Sequence, residues 1–211
     1  MTVHITEKPR LRLNPWTSIW FKPRQTIREV VSFNPGYGVV LLAVMTGIYR
    51  FLNQASKRSL GDNLSLGWII ILSLTIGTIG GFLYVYFTGS YMRWVGSWFG
   101  GTATTVEARA AVAWSSIPDG LLLIIFVPIL LLFREAWFSS TFYENIEPAT
   151  TLWIFSLLVP LGMIVLIWRI VLFVACLAEV HRFSVWRSVF VSALGVVILL
   201  VPAFFVILLL N

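Results

Sequence analysis

Residues 152–178 read LWIFSLLVPLGMIVLIWRIVLFVACLA, a stretch in which Arg169 is the only charged residue. A helix needs about 20 mostly apolar residues to cross a bilayer, so this stretch is long enough to span one. It is also much longer than the apolar run of a strand buried in a soluble core. It therefore predicts a membrane-spanning helix, and similar runs elsewhere in the chain decide the fold.

The overall composition agrees with a membrane protein. Of the 211 residues, 58% are hydrophobic and only 11% are charged, and the mean hydropathy is +0.89. Soluble globular proteins are about half apolar and about a quarter charged. A chain of this size leaves too much surface in contact with water to bury this excess, which excludes a soluble fold. A disulfide scaffold is excluded as well, because Cys176 is the only cysteine.

The sequence predicts five spans, at residues 36–52, 66–88, 113–133, 152–178 and 189–210. The predicted fold class is therefore all-α, a polytopic bundle of five transmembrane helices. We expect residues 1–35 to form a separate N-terminal segment without a cleavable signal peptide, and residues 36–211 to form the membrane domain. Gly77, Gly80 and Gly81 in the second span predict a close helix contact, either within the chain or between chains.

The distribution of Lys and Arg around the predicted spans indicates the orientation of the chain. The N-terminal region, the second loop and the fourth loop share one side and hold ten of these residues. The opposite side holds only Arg50, Lys57, Arg58 and Arg134. Because basic residues concentrate in cytosolic segments, we expect a cytosolic N-terminus and a C-terminus outside. The net charge of +6 is then a topology signal, since the basic residues form no separate nucleic-acid-binding domain.

Residues 14–33 predict two short amphipathic helices. Asn14 and Pro15 are typical of a helix start, because an Asn side chain caps a helix and proline fits its first position. Trp16, Ile19 and Trp20 then share one face. From Pro23 onward, a second helix has Ile27, Val30 and Val31 on one side and Arg24, Arg28 and Glu29 on the other. Such helices anchor a span at the bilayer surface or form a docking surface for a partner, and both roles are compatible.

Asp119 and Arg169 are charged residues inside predicted spans, where ionisable groups are costly and are functional candidates. The third and fourth spans run antiparallel, which places both residues at similar depth in the cytosolic half. We therefore hypothesise that they pair or share one polar pocket. Such a pair either fixes helix packing or belongs to a substrate or proton path. We expect Glu179, at the cytosolic exit of the fourth span, to be solvated.

The segment WFGGTATTVE, residues 98–107, predicts a turn between two helices. Gly100 and Gly101 end the first helix, because glycine adopts the left-handed conformation at low cost. Thr104 and Glu107 have the spacing of a capping box that starts the next helix. This is not a phosphate-binding loop, because the Gly-Lys-Ser/Thr ending is missing. The sequence also lacks catalytic motifs and metal-ligand clusters, so we expect no enzyme activity, no cofactor and no metal.

Four motifs, taken in order, resemble one protein family. They are residues 14–28 (NPWTSIWFKPRQTIR), 98–101 (WFGG), 114–118 (WSSIP) and 177–187 (LAEVHRFSVWR). Together they resemble bacterial members of the Yip family, the Ypt/Rab-GTPase-interacting membrane proteins. The likeness extends from about residue 14 to the end of the chain.

This resemblance implies a five-span membrane protein with a cytosolic N-terminus and no catalytic residues. A Rab-type GTPase partner is implied by family analogy only. The N-terminal region here lacks the long cytosolic domain of the eukaryotic relatives on which that analogy rests. The motif spelling and the short N-terminal region imply a bacterial plasma membrane. The expected partners are the lipid bilayer and either another protein or a second copy of the chain, with no nucleic acid.

These expectations favour a non-enzymatic membrane scaffold or adaptor, with a role in membrane organisation or a trafficking-like process. Its predicted cytosolic interaction surface consists of Trp16, Trp20, Pro23, Arg24, Arg28, Gly100, Gly101, Glu107, Glu179, Arg182 and Arg187. The alternative is a small transporter or channel with a polar intramembrane site at Asp119 and Arg169. An intramembrane enzyme is disfavoured, because nothing resembles an activated nucleophile or a metal site.

Overall fold

The computed structural model describes residues 11–210, and the side chains of residues 11–201. Every regular element in this range is a helix. The helices are α1 (Pro15–Ser18), α2 (Pro23–Phe33), α3 (Val39–Lys57), α4 (Leu66–Leu72), α5 (Thr78–Trp98), α6 (Thr105–Ser115), α7 (Ile117–Phe133), α8 (Phe142–Asn145), α9 (Pro148–Val180) and α10 (Val185–Leu210). A π-helical turn, Ser73–Gly77, joins α4 to α5. Lys8 and Arg10, counted among the predicted cytosolic charges, and the C-terminal Asn211 lie outside the described residues.

Four helical stretches are long and apolar enough to cross a membrane. They are Val39–Lys57, Leu66–Trp98, Thr105–Phe138 and Pro148–Val180. A fifth helix, α10, is apolar over Val185–Val201, the part whose side chains are described. The prediction of an all-α, polytopic membrane protein is confirmed, and the five apolar stretches occur in the predicted order.

The first apolar helix begins and ends later than the predicted span 36–52. It begins at Val39 because Gly38 has a φ of 73°, a left-handed conformation that only glycine adopts at low cost. It continues to Lys57, so the polar residues after position 52 belong to the same helix as the apolar run. This extension places Arg50 well inside α3.

The third predicted span, 113–133, is divided between two helices. One ends at Ser115 and the next begins at Ile117, with Ser116 as the break between them. Pro118 explains the break, because proline has no N–H to donate to the carbonyl four residues earlier. Pro118 itself lies in the first turn of α7, where the missing N–H costs little.

The connections between helices gather at two opposite ends of the bundle. At one end, here called the N-terminal face, α2 packs against α6 and the end of α9, and the turns at residues 99–104 and 181–184 adjoin these helices. At the other, the loop end, residues 58–65 meet residues 134–147. There the Asp62 carboxylate accepts hydrogen bonds from the Ser139 hydroxyl (2.7 Å) and the Ser140 N–H (3.0 Å). The bond from Ser139 is the main reason that the pKa of Asp62 is lowered.

The apolar side of α2 faces the protein. Ile27 and Val30 are fully buried and belong to the same hydrophobic cluster as Trp114 and Leu172. A helix that anchors at the bilayer surface needs an apolar face free to meet lipid. In this chain α6 and α9 cover that face, so α2 is part of the folded bundle.

Glycines allow α3 and α5 to pack closely against each other. A Cβ added to Gly47 would lie 2.8 Å from the Cα of Gly81, and one added to Gly81 would lie 2.9 Å from the Cα of Gly47. Both distances are shorter than the carbon–carbon contact of about 3.5–4.0 Å. Two of the glycines predicted to mediate a close helix contact, Gly77 and Gly81, therefore approach α3 closely within the chain.

We expect Gly81→Ala to lower the free energy of unfolding by about 1–3 kcal/mol, because the added methyl group meets the backbone of α3. Gly80→Ala is the matched control, since no described atom lies within 4 Å of the Cβ position there. Alanine favours helix, so this control should be neutral or stabilising by up to about 1 kcal/mol. Chemical unfolding in detergent measures both variants, and equal losses would contradict the proposed close packing.

Candidate functional site

Three charged side chains meet inside the bundle. The carboxylate of Asp119 is only 3% exposed, and its Oδ2 lies 3.4 Å from the Nε of Arg50. Its Oδ1 lies 3.5 Å from the Nη1 of Arg169. The structure thus brings Asp119 and Arg169 together, and it adds Arg50 as a second cation on the same carboxylate. We call Arg50, Asp119, Arg169 and the adjacent Tyr84 the intramembrane cluster.

Tyr84 on α5 contacts both arginines of this cluster. Its hydroxyl accepts a hydrogen bond of 2.9 Å from the Nη2 of Arg169. The guanidinium carbon of Arg50 lies 3.6 Å from the centroid of the Tyr84 ring, which is a cation–π contact. One carboxylate and one aromatic ring therefore hold two guanidinium groups, and positive charge exceeds negative charge in the cluster.

The break between α6 and α7 positions the carboxylate of Asp119. This residue lies in the first turn of α7, and its N–H donates to the carbonyl of Ser116 at 2.9 Å. The N-terminus of a helix carries a partial positive charge, which stabilises a carboxylate. The proline that ends α6 thus places Asp119 where the dipole of α7 and two guanidinium groups act on it together.

A groove extends from the intramembrane cluster along α3 toward the loop end. Its volume is about 640 Å³, within the range of roughly 300–1,000 Å³ that is usual for small-molecule pockets. One wall is a polar stripe of Arg50, Asn53 and Lys57, which share a helix face because they recur at three- and four-residue spacing. The opposite wall is α9 around Gly162, where a Cβ would have no described atom within 4 Å.

Toward the N-terminal face, the intramembrane cluster is followed by a packed apolar core. Trp114, Leu172 and Cys176 are all fully buried in it. Cys176 is a free thiol that fills this core, as its sequence context predicts. Because these side chains close the bundle, the groove ends at the cluster.

Arg50 lies inside the bundle, whereas the sequence analysis places it on the flank of the first span. The predicted span ended at residue 52, so Arg50 was grouped with Lys57 and Arg58 on the loop side. The polar stripe that includes Asn53 continues the helical spacing past that point, and this is the signal that identifies Arg50. No sequence signal identifies Tyr84. Aromatic residues make up 15% of the chain, so a single tyrosine within a span does not stand out.

On the N-terminal face, the carboxylate of Glu179 accepts hydrogen bonds from two arginines of α2. The Nε of Arg24 lies 3.0 Å from its Oε2, and the Nε of Arg28 lies 2.6 Å from its Oε1. The Glu179 side chain is only 12% exposed, so the prediction that it is solvated is wrong. The prediction overlooked that α2 folds back over the end of α9 and covers it.

The tryptophans of the predicted interaction surface are half-buried. The rings of Trp16 and Trp114 lie 5.0 Å apart between centroids. The indole N–H of Trp20 donates to the carbonyl of Trp16 at 3.1 Å, and Pro23 begins α2. Through these contacts α1 and α2 pack against each other and against α6.

The two turns of the N-terminal face are joined to each other. Gly100 ends the preceding helix with a φ of 73°, and the predicted capping box of Thr104 and Glu107 is present. A guanidinium N–H of Arg187 donates to the carbonyl of Phe99 across the two turns. Arg182, by contrast, is exposed. The structure therefore brings the three predicted segments together at one end of the bundle.

His181 lies beneath these turns, although the sequence did not mark it as a site residue. It is 2% exposed, its ring fits between Gly96 and Gly101, and it stacks on Phe183 with centroids 5.1 Å apart. Among the described atoms, neither ring nitrogen has a hydrogen-bond partner. Burial is the main cause that lowers the pKa of His181. The Met92 backbone, which lies near the ring without forming a hydrogen bond of normal geometry, opposes this shift, as does the charge of Glu107, whereas the charge of Arg93 adds to it.

The described part of the chain contains no group of three or more His, Cys, Asp or Glu side chains that could hold a metal ion.

The bundle itself matches a known family. A family model described as the Yip1 domain matches residues 17–208, which include all of α2 to α9 and most of α10. The chain belongs to the Yip1 domain family. This confirms the resemblance to the Yip family drawn from the four sequence motifs.

Comparisons with curated proteins and with solved structures give no match. Family membership, together with the apolar helices, makes this chain an integral, multi-pass membrane protein. Both the intramembrane cluster and the interlocked turns of the N-terminal face lie within the matched residues of the Yip1 domain.

We expect Asp119→Asn to destabilise the Yip1 domain by about 3–5 kcal/mol, the usual cost of removing one partner from a buried ion pair. Arg169→Gln should cost less, because Arg50 still neutralises the carboxylate. Glu144→Gln, exposed at the loop end, is the control and should stay within about 0.5 kcal/mol. Unfolding in detergent measures all three variants, and equal losses at Asp119 and Arg169 would contradict a shared carboxylate.

We also expect acid to destabilise the Yip1 domain through His181. Its folded-state pKa lies below the unfolded value of about 6.5, so the unfolded chain binds the proton more readily. The contribution of His181 to stability is therefore complete above about pH 6.5 and is lost as the pH falls below it. His181→Phe keeps a planar ring against Phe183 but cannot titrate, so the melting temperature should depend less on pH. An unchanged slope in His181→Phe would argue against this role.

Proposed function

We propose that this Yip1 domain is a non-enzymatic membrane scaffold whose N-terminal face binds an acidic protein partner. The observation that supports the proposal is the interlocking of distant chain segments at this face. Glu179 holds Arg24 and Arg28, and Arg187 reaches the turn before α6. A surface fixed in this way keeps one shape, which reduces the ordering cost of binding.

Exposed cations on this face favour a partner with acidic side chains. Lys22, Arg93 and Arg182 are exposed, and none of them takes part in an ion pair within the described residues. Opposite charges across an interface speed association and select the partner. Phe21, between α1 and α2, is 87% exposed, and Trp186, in the first turn of α10, is 83% exposed. Aromatic side chains are frequent binding anchors.

We further propose that the N-terminal face lies in the cytosol at a bacterial plasma membrane. With Arg50 inside the bundle, the cations predicted on the opposite side are reduced to Lys57, Arg58 and Arg134. This strengthens the charge imbalance on which the orientation rests. The proposed role is membrane organisation or a trafficking-like process, and a Rab-type GTPase partner rests on family analogy alone.

A small transporter or channel is the second candidate, and the groove beside Asp119 and Arg169 supports it. This groove is polar along α3 and ends at the intramembrane cluster. A continuous path needs a second conformation in which Trp114, Leu172 and Cys176 separate, because these residues pack together in the core. The scaffold needs no such rearrangement, which is why we favour it.

Crosslinking in intact membranes tests the scaffold. We expect a reproducible partner to copurify with the full chain and to be lost from a Lys22→Glu, Arg93→Glu, Arg182→Glu variant. The matched control is Lys57→Glu, Arg58→Glu, Arg134→Glu, which changes the charge by the same amount at the loop end. This control should retain the partner.

Arg24, Arg28 and Arg187 are not suitable for this experiment, because they hold the face together and their loss would report unfolding. Retention of the partner by the N-terminal-face variant contradicts the proposal, and so does its loss from both variants. Identification of a partner segment without acidic residues would also count against the proposed chemistry.

A further inference from the structure

The groove beside the intramembrane cluster adjoins a second, apolar cavity. This cavity has a volume of about 490 Å³ and adjoins the groove at lining residues that both share, among them Asn53, Lys57 and Gly162. Its other walls, which include Ile129 and Leu158, are largely apolar and extend toward the loop end. The two cavities are therefore compartments of one site, in which the first is charged and the second is apolar.

The charged compartment holds more cations than anions. Arg50, Lys57 and Arg169 line it, and Asp119 is the only acidic residue among its lining residues. One carboxylate neutralises one positive charge, so the compartment keeps a positive surplus. The side chains of Arg50 and Arg169 are partly buried, 36% and 23% exposed, and Lys57 is exposed nearby. An anion bound against them offsets the cost of placing this surplus charge beside apolar helices.

We infer that this site binds an anionic amphiphile, a molecule with one phosphodiester or carboxylate headgroup and an apolar chain. The headgroup lies between α3 and α9 against Arg50 and Lys57, and the chain occupies the apolar cavity. Guanidinium groups bind such headgroups through charge-assisted hydrogen bonds.

The apolar compartment is the reason for assigning an amphiphile and not a soluble anion. A soluble anion uses only the charged compartment and gains nothing from the walls around Ile129 and Leu158. The site lies across the packed core from the N-terminal face, so this inference does not depend on the proposed scaffold role.

Native mass spectrometry of the full chain in detergent tests the site. The probes are phosphatidylglycerol, which is anionic, and phosphatidylcholine, which is zwitterionic, with identical acyl chains in an equal mixture. We expect phosphatidylglycerol to be retained on the order of tenfold better, the effect of about one charge-assisted hydrogen bond.

Two pairs of variants locate the binding. Lys57→Gln removes one cation of the groove and should reduce the preference about fivefold, whereas Arg58→Gln removes an adjacent cation that does not line the groove and should not. Gly162→Leu fills the groove and should abolish retention of phosphatidylglycerol. Gly80→Leu, at another open position on α5, is its control.

Equal retention of the two lipids overturns the inference, as do equal effects of Lys57→Gln and Arg58→Gln. Inorganic phosphate distinguishes the source of the anion. If phosphate displaces the lipid, or raises the melting temperature as much as phosphatidylglycerol does, the site takes a soluble anion. The amphiphile assignment is then wrong. Melting temperatures without lipid verify folding, and Lys57→Gln decides the question if Gly162→Leu does not fold.

Discussion

The ion pairs of Asp119 with Arg50 and Arg169 constrain how the helices of the bundle pack against each other. Apolar helices pack against each other in several registers at similar cost, whereas a buried carboxylate must meet its cations at hydrogen-bonding range. Asp119 lies on α7, its two arginines on α3 and α9, and Tyr84 on α5 contacts both arginines. This cluster therefore sets the relative positions of four helices.

The same chemistry recurs at the N-terminal face, where Glu179 accepts Arg24 and Arg28. In both places one carboxylate pairs with two arginines: Asp119 binds one from α3 and one from α9, whereas Glu179 on α9 binds two from α2. The apolar core around Trp114 and Leu172 lies between the two sites and separates them. The bundle thus has ion pairs at two depths, one at Asp119 and one at Glu179, with apolar packing between them.

The architecture was predictable because the bilayer demands long apolar helices, and hydropathy alone locates them. Asp119 and Arg169 were predictable as candidates because charge inside such a helix is costly. The depth of Arg50 was missed, because the predicted span ended at residue 52 whereas α3 continues to Lys57. The burial of Glu179 was not predictable, because it results from a tertiary contact that local sequence patterns do not encode.

The ion pairs at Glu179 also impose an order on the biogenesis of the protein. Arg24 and Glu179 are separated by 155 positions, so the ribosome completes α2 long before its binding site on α9 exists. At about 5–20 residues per second, this delay is on the order of 10–30 s. Ile27 and Val30 are fully covered only after α6 and then α9 have been synthesised. Until then the nearby bilayer is the available apolar phase, so we expect the first helices of the nascent chain to contact lipid before they pack against α9.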